Sequence, residues 1–182
     1  MAITPDGRRA ISNSGNNSGA RAIRIWDLVS GGPPRSLEGH TLAVFCLAIT
    51  PDGRRVVSGS WDKTIRIWDL ESERCLGLLE GHTGSVRALV LTPDGRQVFS
   101  GSEDETIRIW DLESGRALRS LDIHAFAGDQ LCIAPDGRRL VAGGRDETVR
   151  VWDLENGRCL HSFEGQARRF AISADWATLV SI

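Results

Sequence analysis

Apolar and β-branched residues come in short runs of strand length, as in VFCLAIT, RRVVSGS, TIRIWDL and CLGLLEGH. Each run is bounded by Pro, Asp, Gly or Ser, the residues that reverse the chain. Within the runs, apolar and polar positions alternate with strand periodicity, and no stretch carries sustained helical periodicity. The prediction is an all-β chain whose strands, labelled a, b, c and d, come in sets of four.

The sets repeat. The tryptophans of four Trp-Asp-Leu triplets stand at 26, 68, 110 and 152, so each step is 42 residues. Pro-Asp-Gly turns at Pro51, Pro93 and Pro135 keep the same period, and an earlier copy at Pro5 is offset by the insertion Asn16-Asn17-Ser18-Gly19. A period of about 40–45 residues is that of four-stranded propeller blades. The expected frame is one segment, 1–182, with units near 1–38, 39–80, 81–122 and 123–164 and a partial unit at 165–182. That makes four antiparallel blades plus two strands of a fifth, an incomplete or open ring.

The Gly-His pairs at 39–40 and 81–82, followed by SGSWDKTIRIWDL and SGSEDETIRIWDL, resemble the WD-repeat (WD40) family over essentially the whole chain. The near-duplicate units ending in DLES resemble its repeat-rich bacterial members. The resemblance implies a closed ring of about seven blades, which this chain cannot complete alone. Either the chain is a fragment, the preferred expectation, or copies associate to finish a ring. The fifth unit also departs from the pattern, with Gln166 in place of His and Ala174-Asp175-Trp176 in place of Pro-Asp-Gly.

The resemblance further implies a hydrogen-bonded tetrad in each blade, formed by Asp of the b–c turn, His of the d–a loop, Ser of strand b and Trp of strand c. By motif position these are Asp62, His40, Ser58 and Trp68, then Asp104, His82, Ser100 and Trp110. The next unit has Asp146, His124 and Trp152 but Ala142 for the serine, and the first has Ser12 and Trp26 but Ala20 for the aspartate. Two complete tetrads and two weakened blades are expected.

Ser, His and Asp also suggest nucleophilic catalysis, in which a base activates a hydroxyl. A catalytic site is built once, whereas this set recurs every 42 residues beside an indole donor that needs an acceptor. A hydrolase is therefore the minor alternative, and the enzyme expectation is negative. Gly-rich phosphate loops and metal-ligand clusters are absent, so neither cofactor nor metal is expected.

Charge narrows the partners. The 182 residues carry 22 basic and 24 acidic side chains, a net charge of −2, against the basic excess of nucleic-acid and anionic-membrane binders. The arginines of the PDGRR and PDGRQ turns meet acids such as Asp69 and Asp111 on one face, so a mixed-charge surface is expected there. No apolar run spans a bilayer, and the MAITPDGRR start has no apolar signal core, so a cytoplasmic location is expected. Cys46, Cys75, Cys132 and Cys159 show no pairing pattern and are read as small core fillers. His161, in strand d, is assigned no role.

Trp61 stands where neighbouring units have Glu103 and Arg145, so the fold does not demand an aromatic there. With Phe45, Arg87, Glu103, Asp129 and Arg145 it is expected on the face shared by b–c turns and d–a loops. Variable aromatic and Arg positions on a repeated frame suit a partner-binding face. The leading expectation is a non-catalytic scaffold for protein or peptide partners, and an alternative is a sensor or regulatory propeller from a larger bacterial signalling protein.

Overall fold

The computed structural model describes residues 1–13, 21–122, 127–144, 147–164, 170–173, 176 and 178–181. All its regular elements are strands. The first sheet is β1 (Ala2–Ile3), β2 (Arg9–Asn13), β3 (Ile23–Asp27) and β4 (Arg35–Leu37), and the second is β5 (Val44–Ile49), β6 (Arg55–Ser60), β7 (Ile65–Asp69) and β8 (Cys75–Leu79). The third holds β9 (Val86–Leu91), β10 (Gln97–Ser102), β11 (Thr106–Asp111) and β12 (Ala117–Asp122), and the fourth β13 (Ala127–Ile133), β14 (Arg139–Gly144), β15 (Thr148–Asp153) and β16 (Cys159–Glu164). A last pair, β17 (Phe170–Ile172) and β18 (Leu179–Ser181), forms a two-stranded sheet. All neighbours are antiparallel and sequential, so the expected sets a, b, c, d are the four sheets.

Turn chemistry fixes these reversals. In the a–b turn of the second sheet, Thr50 Oγ1 donates to Asp52 Oδ1 at 2.6 Å, and the Arg54 amide donates to the same oxygen at 3.0 Å. Gly53 then takes φ +70°, a left-handed conformation open to Gly without a Cβ penalty. In the c–d turn, Asp69 Oδ1 accepts the amide and the hydroxyl of Ser72, both at 2.7 Å. After β17, Trp176 stands where Gly53 does in the second sheet, with φ +60° and its amide donating to the Ser173 carbonyl at 2.9 Å.

The core lies between sheets rather than within them, because each sheet is one layer thick and buries its faces against its neighbours. Trp68 and Leu70 of the second sheet pack on Ile23, Ile25 and Leu37 of the first. Trp110 and Leu112 likewise pack on Ile65, Ile67 and Leu79, and Trp152 packs on Ile107, Ile109 and Leu121. Trp26 and Leu28 have no such cover among the described residues. Trp26 is 40% exposed and Leu28 52%, against 1% for both Trp68 and Leu70. The arc is open, and its uncovered first surface is an apolar sheet face. β1 is at the edge of its sheet as well, paired to β2 on one side.

Two cysteine expectations fail. Cys75 and Cys159 are exposed, because both begin the outermost strand of a sheet, where one lateral neighbour is missing. Cys46 and Cys132, on inner strands, are half-buried.

Candidate functional site

Two Ser-His-Asp-Trp sets tie the d–a loops to the sheets. In the first, an indole is donor-only, so Trp68 Nε1 donates to Ser58 Oγ at 2.8 Å. The Ser58 hydroxyl donates in turn to His40 Nε2 at 2.8 Å, which leaves the Nδ1 proton for Asp62 Oδ2, also at 2.8 Å. Asp62 additionally accepts from the Thr64 hydroxyl at 2.6 Å and the Thr41 amide at 2.9 Å. The second set repeats this with Trp110, Ser100, His82 and Asp104, at 2.8, 2.7 and 2.8 Å, and with Thr106 and Thr83.

Burial lowers the pKa of His40 and of His82 against the opposing pull of their aspartates, so both rings are neutral near pH 7. Burial pushes the Asp62 and Asp104 carboxyls up, but hydrogen bonds from Thr64 or Thr106 and from the imidazoles outweigh it and hold each pKa at about 2. The glycines before the histidines pass close to an arginine of strand c. A Cβ at Gly39 would lie 2.8 Å from Arg66 Nη1, and one at Gly81 2.9 Å from Arg108 Nη1.

The proton order matches a hydrolytic triad, but access does not. Ser58 and Ser100 are fully buried, and each Oγ already holds an indole N–H, so neither can meet a substrate carbonyl. The outer sets are thinner. Trp26 Nε1 donates to Ser12 Oγ at 2.9 Å at the surface, and the buried Trp152 N–H, beside Ala142, has no acceptor among the described residues. His124, Asp146, Arg145 and Ala20 lie outside the described residues, as does the Asp129 side chain.

On the same side as Asp62 and His40, four variable positions converge. Phe45 and Trp61 meet with ring centroids 5.1 Å apart. Arg87, from the neighbouring inner strand β9, stacks its guanidinium 4.1 Å from the Phe45 centroid and 5.7 Å from that of Trp61. Its Nε donates to Glu103 Oε1 at 2.8 Å, and Nη2 donates to the same oxygen. The ion pair pins the guanidinium, and the guanidinium fixes the rings. Trp61 remains 45% exposed and Phe45 37%, with exposed Leu42 of the d–a loop on the same side. A Cβ at Gly84, the counterpart of Leu42, would lie 2.5 Å from the Asp104 amide, so the next unit cannot carry a side chain there. The opposite side is polar: a cavity of about 670 Å³ there is lined by Arg55 and Arg96 and by Asp52, Asp94, Asp111 and Glu113.

A family model, WD domain, G-beta repeat, matches residues 31–69, 73–111 and 115–153. The chain belongs to the WD-repeat family. Comparison with curated proteins gives no match. Each matched WD unit begins at or beside a c–d turn, so it spans strand d of one sheet and a, b and c of the next. That frame differs from the 39–80 spacing taken from Gly-His, and it links adjacent blades covalently. Within the WD units, Thr64 and Thr106 went unassigned from sequence, although their 42-residue spacing was the available signal. Leu42 was also missed, because one variable Leu beside a turn carries no periodicity.

Proposed function

We propose that this chain is a non-catalytic interaction scaffold that holds a protein or peptide partner on the face formed by Phe45, Trp61, Arg87 and Glu103. WD repeats generally mediate protein–protein interaction, and the reading extends that role to one surface of this chain. The observation that carries it is the half-exposed Phe45–Trp61 pair, locked by an ion-paired arginine at positions where adjacent units hold polar residues. Rigid aromatic surface beside Arg is what dominates binding energy at protein interfaces. Its small conformational freedom also lowers the cost of ordering on binding.

The buried, indole-capped serines support the non-catalytic half of the reading. A serine-directed phosphonate should leave Ser58 and Ser100 unlabelled by mass spectrometry, and stoichiometric labelling of either would reverse it. For the binding half, partners captured by cross-linking to the wild-type chain should be lost with Trp61→Ala at unchanged melting temperature. Identical capture by both chains would sink the assignment of this face.

A further inference from the structure

At the outer rim, two of the three junctions between four-stranded sheets carry the same device, an arginine of strand d that crosses to the next sheet. Arg35 of β4, Gly77 of β8, Arg119 of β12 and His161 of β16 hold the same place in strand d, paired in register with Ile25, Ile67, Ile109 and Val151. At the first junction Arg35 crosses to the next sheet's c–d turn and pairs with Glu73. At the third, Arg119 Nη1 donates to the carbonyl oxygens of Leu154, at 2.9 Å, and Glu155, at 3.2 Å. At the second junction the strand offers only Gly77, and the space is a groove of about 300 Å³ between β8 and the Leu112–Glu113 turn.

The backbone does not require glycine there. Gly77 is not in a left-handed conformation, and a Cβ would meet Ile67 Cδ1 at 3.6 Å, an ordinary contact. The groove is thus an omitted side chain rather than a packing necessity. Beside it, β8 pairs only with β7, and Leu76 and Leu78 are exposed along that edge. An edge strand with apolar side chains invites an added strand.

We propose that the groove at Gly77 receives an arginine side chain from a partner peptide paired in extended form along β8. The neighbouring junctions supply the chemistry: a guanidinium fills this position from within the chain, and its acceptors at the third junction, the Leu154 and Glu155 carbonyls, correspond to those of Leu112 and Glu113. Glu113 lines the groove and brings a negative charge to this turn. Arg55 lines it too, with Asp52 and Asp69 close enough to feel its charge. Its counterpart Arg9 coexists with Arg35 at the first junction, donating from Nη1 to Leu70 O at 3.1 Å, so two guanidiniums are compatible there. An added strand lies about 4.8 Å from the edge, a step that an extended arginine covers.

The test uses fluorescence anisotropy with labelled hexapeptides copying β12, Ala-Leu-Arg-Ser-Leu-Asp, and versions with alanine or glutamate for the arginine. Wild-type chain should bind the arginine peptide at least about tenfold more tightly than the alanine one. Gly77→Arg, which supplies its own guanidinium, should lose that binding without a lower melting temperature, and Gly77→Ala should keep it. Trp61→Ala should leave it unchanged, which separates this groove from the aromatic face. Equal affinity for arginine and alanine peptides, no saturable binding, or tighter binding of the glutamate peptide would each overturn the proposal on the wild-type chain alone. So would unchanged binding by a folded Gly77→Arg.

Discussion

Ala142 occupies beside Trp152 the place that Ser58 and Ser100 hold beside Trp68 and Trp110, and the Trp152 indole N–H is buried with no acceptor among the described residues. A buried donor without a partner costs roughly 1–3 kcal/mol. Ala142→Ser should therefore raise stability by about 1 kcal/mol in urea unfolding, the net worth of one intramolecular hydrogen bond. Trp152→Phe provides the cycle, since in that background the added serine has no indole to satisfy and the gain should vanish. A gain that persists with phenylalanine would show that Ala142→Ser acts otherwise.

Matching deletions at two serines should differ in cost because only one is buried. Ser100→Ala removes the acceptor of Trp110 and the donor to His82 in a site closed to water, so a loss of roughly 1–3 kcal/mol is expected. Ser12→Ala removes the acceptor of Trp26 at an exposed position where water replaces it, and the loss should stay within about 0.5 kcal/mol. Equal shifts in denaturant midpoint would contradict the burial difference.

Acid should weaken the fold in two steps of the same sign. Folding lowers the His40 and His82 pKa below 6.5, so the unfolded chain binds more protons, and the stability they contribute is present above pH 6.5 and lost as pH falls. Asp62 and Asp104, lowered from 3.8 to about 2, contribute stability that is present above pH 3.8 and lost towards pH 2. The urea midpoint should decline below about pH 6.5 and again below about pH 4. A profile flat to pH 4 would mean that the imidazoles titrate alike folded and unfolded.

Much of this architecture was legible because the signals recur. Four Trp-Asp-Leu triplets and the Pro-Asp-Gly turns mark out blades, and an all-β repeat follows from them before any coordinate is known. What was not legible depends on which sheet lies against which. The exposure of Cys75 and Cys159 reflects the missing neighbour of strand d, which their own apolar surroundings hide. Phe45, Trp61, Arg87 and Glu103 were placed on one face from sequence. That Arg87 would stack on Phe45 and bind Glu103 follows only when β5 and β9 lie side by side, 42 residues apart in sequence. The groove at Gly77 was invisible for a related reason: glycine in a strand reads as weakness until the arginines at its equivalent positions are seen crossing to the next sheet.

The last prediction separates the two exposed tryptophans. Trp26 and Leu28 form the uncovered face of the first sheet, and their counterparts at the next three sheets are packed against the Ile-x-Ile and Leu positions of the preceding blade. An apolar face of that kind, with its complement present in each copy of the repeat, drives association between chains. Trp61 lies on the loop side instead, pinned by Arg87, where loss of the indole removes one exposed cation–π contact and none of the apolar packing between sheets. Introducing charge with Leu28→Lys should reduce the average mass in light scattering at fixed concentration without lowering the melting temperature, because Leu28 is already half in water. Trp61→Ala should leave that mass unchanged while weakening a bound partner by about 2 kcal/mol, the scale of an aromatic anchor at an interface. A wild-type chain that is monomeric at all concentrations would remove the role assigned to the Trp26 face. A mass shift with Trp61→Ala would instead place self-association on the loop side.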